Sequence, residues 1–142
     1  MAHSLKIAVA DQDPDYLGLE ISASNGRFSG ATFVYAGLDE LERFAKIVSG
    51  FPRGRADERT YAFGTKDKSI AGGYCSLKFY CQDSSGHAAV DIELEDDEKR
   101  RSAGAARFSF FPIVAGDVDR FVSELKSVQK SGSGEATIES HG

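Results

Sequence analysis

The 142-residue sequence has only two cysteines, three prolines, one methionine and no tryptophan. Its N-terminal apolar run is a few residues long and is followed by acids, which fits neither a signal peptide nor a membrane span. Seventeen basic and twenty-two acidic side chains give a net charge of −5, which opposes binding to nucleic acid or anionic lipid. The sequence therefore predicts a cytoplasmic protein that binds neither nucleic acid nor membrane.

The two cysteines stand at the ends of a short apolar stretch, CSLKFYC. In an extended strand Cys75, Leu77, Phe79 and Cys81 share one face, because side chains alternate between faces. The cysteines are then ~20 Å apart, whereas a disulfide needs Cα atoms within about 7 Å. Neither belongs to a Cys-x-x-Cys pair, and the three histidines lie near the termini or in a predicted turn. We expect two buried, inert thiols and no metal site.

Short segments with alternating apolar residues, separated by turn residues, predict most of the chain to be β-strand. Because these strands come in runs, we expect an α+β fold, a mainly antiparallel sheet of about six to eight strands with two helices packed on it. We expect one domain over residues 1–142, with residues 1–3 and 130–142 as candidate flexible termini; ATIE near the end is a possible short strand. The predicted strands cover residues 5–9, 17–23, 27–35, 61–63, 74–81, 88–95 and 107–114, and the predicted helices cover residues 38–48 and 117–128.

Several local patterns predict where these elements begin and turn. The dipeptide Asn25-Gly26 predicts a type I′ hairpin turn, since both central residues of that turn need positive φ. Leu38 begins the apolar stripe of the first helix, and Asp39 is its candidate N-cap. Asp117 is the candidate N-cap of the second helix.

The strands at residues 74–81 and 88–95 should form a hairpin around SSGH. Matching their apolar faces predicts three cross-strand pairs. These are Phe79 with Ile92, Leu77 with Leu94, and Lys78 with Glu93.

The sequence lacks the familiar catalytic motifs: no nucleophile elbow, metalloprotease helix, phosphate loop or dinucleotide fingerprint is present. Cys75 or Cys81 could pair with His87 as nucleophile and base. However, the cysteines are predicted to point inward, whereas His87 belongs to a solvent-facing turn. We therefore predict that the protein is not an enzyme and uses no cofactor.

The segment DQDPDY offers a second possible metal site. Asp11, Asp13 and Asp15 imitate the alternating ligands of a calcium loop. Pro14 replaces the flexible glycine region, and no bidentate glutamate follows at the required distance. A polar turn is the favoured interpretation.

The acidic segment DIELEDDE carries the strongest functional signal. Asp91, Glu93 and Glu95 project from one strand face, and tyrosines of the neighbouring strand could add aromatic anchors. The segment is either a solvated face that resists aggregation or a docking surface for a basic protein. The candidate partner-binding residues are Tyr74, Lys78, Tyr80, Asp91, Glu93, Glu95, Asp96, Asp97 and Glu98.

The order of LGLEISA, GRFSGATFVYAGLDELERFAKIVSG, SLKFYCQDSSGHAAVDIELED and FSFFPIVAGDVDRFVSELKSV resembles that of small bacterial WapI-type immunity proteins and their uncharacterised relatives. The likeness spans most of the chain. It implies an intracellular antidote that binds and blocks a toxin domain, which would be a basic protein here. It transfers no individual functional residues.

Two other classes of function stay open. A small-ligand binding module would need a pocket between sheet and helices, lined by residues such as Phe108, Phe110 and Phe121. A structural or interaction protein without any toxin would need only the exposed face.

Overall fold

The computed structural model describes residues 3–67, 69–97, 99 and 101–140, and within them the chain forms eight strands and two helices. The strands form two antiparallel sheets, sheet A in the order β3-β2-β1-β8 and sheet B in the order β4-β5-β6-β7. The α+β class is confirmed, but the expectation of a single sheet is wrong. In chain order the elements are β1 (His3–Gln12), β2 (Leu17–Ser24), β3 (Ser29–Ala36), α1 (Glu40–Val48), β4 (Glu58–Gly64), β5 (Tyr74–Cys81), β6 (Ala88–Glu95), β7 (Ala105–Ile113), α2 (Ala115–Ser131) and β8 (Glu135–Ser140).

One continuous core joins both sheets and both helices. Phe44 of α1 lies at its aromatic centre, with ring centroids of Phe63 and Phe121 at 5.2 and 5.8 Å. In the central part of the strands buried residues mostly alternate with more exposed ones, as in β5, where Cys75, Leu77 and Phe79 are buried. Buried strand residues include Leu5, Ile7, Leu19, Ile21 and Val34 of sheet A, and Leu77, Phe79, Val90, Ile92 and Phe110 of sheet B.

The edge strand β3 of sheet A meets the ends of β5 and β6 of sheet B at a junction around Gly73. The amide N–H of Gly73 donates to the carbonyl of Phe33 at 2.7 Å. The hydroxyl of Thr32, which is fully buried, donates to the carbonyl of Glu95 at 2.7 Å. A Cβ at Gly73 would collide with the Thr32 hydroxyl and would lie 2.5 Å from the Glu95 carbonyl oxygen. Only glycine therefore fits where the two sheets join.

The β5–β6 hairpin has a different register from the predicted one. The register is displaced by two residues, so every side chain keeps its predicted face, since the period along a strand is two. The observed pairs are Leu77–Ile92, Phe79–Val90 and Lys78–Asp91. The predicted pairs Phe79–Ile92, Leu77–Leu94 and Lys78–Glu93 are wrong.

The β5–β6 turn explains this displacement. The N–H of Gln82 donates to the carbonyl of His87 at 2.9 Å, so the four loop residues are 83–86, one position earlier than the predicted SSGH. Within it the Asp83 carboxylate accepts the N–H of Ser85 at 2.8 Å. Such an aspartate turn fixes the loop length independently of the strand faces.

The β2–β3 turn also differs from the prediction by one position. Asn25 and Phe28 are joined by an N–H to carbonyl bond of 3.0 Å, so Gly26 and Arg27 are the central residues. Gly26 has φ 87°, and positive φ among the described residues is confined to glycines. Positive φ at the first central residue alone is typical of a type II′ turn, so the predicted type I′ turn is wrong.

Helix α1 begins later than the apolar stripe indicates. Leu38 precedes the helix and is 46% exposed, so its predicted place in the buried stripe is wrong. Asp39 occupies the N-cap position, but its side chain makes no capping hydrogen bond and pairs instead with Arg43 at 3.4 Å. The Glu40 carboxylate accepts the N–H of Gly37 at 2.9 Å.

Helix α2 begins at Ala115 with Val114 as N-cap, so the prediction of Asp117 as N-cap is wrong. Asp117 lies one turn into the helix, where its carboxylate accepts the N–H of Val114 at 2.9 Å. Its carboxylate therefore still accepts a hydrogen bond from a backbone amide at the start of the helix, although from a position inside the helix. After α2, the possible short strand at ATIE is present as β8, which pairs antiparallel with β1.

A half-buried ion pair holds the connection between α1 and β4. The Arg59 guanidinium donates to the Asp57 carboxylate at 2.7 Å and to the carbonyls of Ile47 and Ser49 at the end of α1, at 2.7 and 3.1 Å. The hydrogen bond from Arg59 is the main reason that the pKa of Asp57 falls from 3.8 to about 2. The pair thus fixes the path from helix to strand.

Replacing Asp57 by Asn should make stability less dependent on pH. The folded-state pKa of Asp57 is depressed, so its contribution is complete above its ordinary pKa of 3.8 and is lost as the pH falls toward about 2. We expect Asp57→Asn to lower the free energy of unfolding by roughly 2 kcal/mol at pH 7 and by almost nothing at the acid end. Urea denaturation at several pH values measures this difference. Asp119→Asn, on the exposed side of α2, is the control. If Asp57→Asn lowered the free energy of unfolding by the same amount at every pH, the stabilising role of the Asp57 carboxylate would be contradicted.

Replacing Gly73 by Ala tests the junction between the sheets. The added methyl must displace backbone at β6 as well as Thr32, so we expect a loss of about 3 kcal/mol or more in the free energy of unfolding. Gly104→Ala is the matched control, because an added Cβ there meets nothing within 4 Å. Thermal and urea denaturation of both variants measure the effect. Equal stability of the two would show that the junction tolerates a side chain.

Candidate functional site

Most of the predicted partner-binding residues lie together on the outer face of sheet B. Alternation turns the odd-numbered members of β6 and the even-numbered members of β5 to this side, away from the core. We call this surface the β5–β6 outer face; it carries Tyr74, Lys78, Tyr80, Asp91, Glu93 and Glu95. Asp96 and Asp97 follow the end of β6, and Glu98 lies outside the described residues.

The pair formed by Tyr80 and Asp91 lies at one end of this face. The Tyr80 hydroxyl donates to the Asp91 carboxylate at 3.0 Å. The pKa of Tyr80 is raised, first by partial burial and then by the hydrogen bond and the negative charge of Asp91. Lys78 lies with its ammonium 5.6 Å from the centroid of the Tyr80 ring. Asp91 is exposed, and among the described residues it forms no ion pair.

The other end of the face is organised by a lysine that the sequence did not single out. The Lys66 ammonium lies 3.1 Å from the Glu93 carboxylate and 3.8 Å from that of Glu95. It also lies 5.2 Å from the centroid of the Tyr74 ring. The hydrogen bond with Glu93 is the largest cause of the raised pKa of Lys66. Lys66 follows β4, so only the pairing of β4 with β5 could have placed it here.

Lysines therefore balance part of the negative charge on this face. Lys78 lies 3.6 Å from Glu58 of β4, and Arg107 is the cross-strand neighbour of Glu93 on β7. The negative potential of the outer face is weaker than the acidic segment alone indicates. Asp91 is its most available carboxylate.

Asp96 and Asp97 belong to a neighbouring concavity rather than to the flat face. The Asp97 carboxylate accepts the N–H of Gly72 at 3.1 Å and that of Lys99 at 3.0 Å. A cavity of about 250 Å³ opens beside them, with Tyr74 and Glu95 among its walls. Asp97 thus holds the loop before β5 in place.

The thiols do not form a nucleophile–base pair with His87. Both cysteines are free. Cys75 is fully buried, and burial raises its pKa to about 12. Cys81 is only half-buried, unlike the prediction, and its Sγ lies 3.5 Å from the Gly54 carbonyl oxygen. His87 Nδ1 lies instead 3.0 Å from the Asp83 carboxylate.

The aspartates of DQDPDY and the phenylalanines of the possible ligand pocket lie in different parts of the fold. The Asp13 carboxylate accepts the N–H of Asp15 at 3.0 Å, as in a polar turn. Among the described residues, no three histidine, cysteine or acidic side chains are grouped as metal ligands. Phe110 and Phe121 are buried in the filled core, with Phe108 packed against it.

No protein-family model, curated protein or solved structure matches this chain. Among the described residues, neither helix combines the length and the apolar character that crossing a bilayer requires.

The two cysteines should differ in reactivity toward an alkylating reagent. At pH 8 the folded protein should incorporate iodoacetamide at Cys81, whereas Cys75 should react only after denaturation, because the buried thiol ionises at about pH 12. Mass spectrometry of tryptic peptides measures both sites, and Cys81→Ser should remove the native-state label. Labelling of Cys75 in the folded protein at the rate seen in urea would contradict its burial.

Proposed function

We propose that this chain is an immunity protein that binds a basic toxin domain through the β5–β6 outer face and blocks it. The observation that carries the proposal is the Tyr80–Asp91 pair, a fixed aromatic ring beside an exposed carboxylate on a regular sheet. The resemblance of the chain's layout to WapI-type immunity proteins supports the choice of partner.

The pair has the properties of an interface anchor. Tyrosine supplies a large contact area with few rotatable bonds, and the hydrogen bond to Asp91 already fixes the ring's position. The carboxylate is exposed, so an arginine or lysine from the partner can reach it from solvent. A cation that reaches Asp91 gains a charge-assisted hydrogen bond without displacing an internal ion pair.

The remaining carboxylates of the face would take part by exchange. Exposed ion pairs such as Lys66–Glu93 contribute little to stability, about 0–1 kcal/mol each. A partner's arginine could therefore replace Lys66 beside Glu93 at small cost. Because of this exchange, the face should bind only partners whose cations match the spacing of its carboxylates.

Reversing one charge should weaken the complex. We expect Asp91→Lys to reduce affinity for its basic toxin domain by about tenfold or more, because a like charge replaces the cation's partner. Isothermal titration calorimetry against purified WapI-type toxin domains of net positive charge measures this. Asp119→Lys, an equal charge change on exposed α2, should leave affinity within about twofold.

Two results of the same titrations would contradict the proposal. Absence of binding to any basic toxin domain would remove the immunity function. Binding that is equally strong in wild type and Asp91→Lys, and equally strong at low and high salt, would remove the β5–β6 outer face from the interface.

A further inference from the structure

A second aromatic surface lies on the outer face of sheet A. The ring centroids of Tyr16 and Tyr35 are 5.2 Å apart at an interplanar angle of 86°, and those of Phe33 and Tyr35 are 5.1 Å apart at 80°. Tyr16 immediately precedes β2, and the other two rings project from β3. We call Tyr16, Phe33 and Tyr35 the sheet A aromatic cluster.

Two glycines, Gly18 and Gly72, allow the rings of the cluster to pack closely against the backbone. A Cβ at Gly18 would lie 2.5 Å from Cζ of Phe33, so the Phe33 ring lies directly over this glycine. A Cβ at Gly72 would lie 3.0 Å from Cδ2 of Tyr35, so the loop before β5 contacts that ring closely. Tyr35 is nevertheless 46% exposed. The cluster is a fixed aromatic platform open to solvent.

Carboxylates surround the platform. The Tyr16 hydroxyl donates to Asp11 at 3.5 Å, and Glu20 is the cross-strand neighbour of Phe33 on the same outer face. The pKa of Tyr16 is raised by desolvation and by the charges of Asp11 and Asp13. No lysine or arginine among the described residues forms an ion pair with Asp11, Asp13 or Glu20. This differs from the β5–β6 outer face, where lysines balance the acids.

We propose that the sheet A aromatic cluster binds an arginine side chain of a basic protein segment. A guanidinium is planar and weakly hydrated, so it stacks on an aromatic ring and pairs with a carboxylate at the same time. Tyr35 supplies the exposed ring. Two carboxylates are available beside the cluster: Glu20 is the cross-strand neighbour of Phe33, and Asp11 accepts the hydrogen bond of Tyr16. The site does not require that the segment come from a toxin, and it is separate from Asp91.

A peptide titration followed by ¹H–¹⁵N NMR tests the site. The probe is a capped Gly-Ser-Arg-Gly-Arg-Ser-Gly peptide, with the same peptide carrying citrulline in place of arginine as the uncharged control. We expect saturable shifts centred on Tyr16, Phe33 and Tyr35, and binding of the citrulline peptide that is at least about tenfold weaker. Asp119→Lys, on the exposed side of α2, should bind the arginine peptide like the wild type.

Variants of the platform give the matched comparison. Tyr35→Ser should weaken peptide binding by about tenfold, whereas Phe28→Ser, at a ring that is 62% exposed on the β2–β3 turn, should not change it. Glu20→Gln is the second variant if Tyr35→Ser alters the spectrum of the free protein, and it should weaken binding by about threefold or more. Shifts centred elsewhere, equal binding of the citrulline peptide, or equal competition by free spermine at matched charge would overturn the proposal.

Discussion

Two hydrogen bonds join the edge of sheet A to the strand ends of sheet B, from Gly73 to Phe33 and from Thr32 to Glu95. They allow two four-stranded sheets to share one core, because the backbone groups at their meeting edge would otherwise be buried without partners. Both candidate surfaces begin at this junction. Tyr74 and Glu95 continue from it onto the β5–β6 outer face, and Phe33 continues from it onto the sheet A aromatic cluster.

The two surfaces differ in how their charges are balanced. On the β5–β6 outer face Lys66 already pairs with Glu93, so a partner there must exchange cations, whereas Asp91 forms no ion pair within the part of the chain that the structure describes. On sheet A no described lysine or arginine forms an ion pair with the acids beside the aromatic cluster. A basic partner would therefore meet a selective surface on sheet B and a more permissive one on sheet A.

Alternation along single strands was sufficient to place Tyr80 and Asp91 on the same outward face, because a register error of two residues changes no face. It could not give the register itself, which the Asp83 turn sets, or the separation into two sheets, which depends on contacts between distant segments. Lys66 and the sheet A aromatic cluster were missed for the same reason. Their neighbours come from other strands, so no local pattern in the sequence marks them.

Native-state hydrogen exchange at the amide of Gly73 tests the junction most directly. If this amide is held by the Phe33 carbonyl inside a shared core, it should exchange only through global unfolding, with the same free energy of opening as the amide of Leu77 in the centre of β5. Exchange of the Gly73 amide at the rate of an exposed loop, while Leu77 stays protected, would show that the sheets separate locally and would contradict the account.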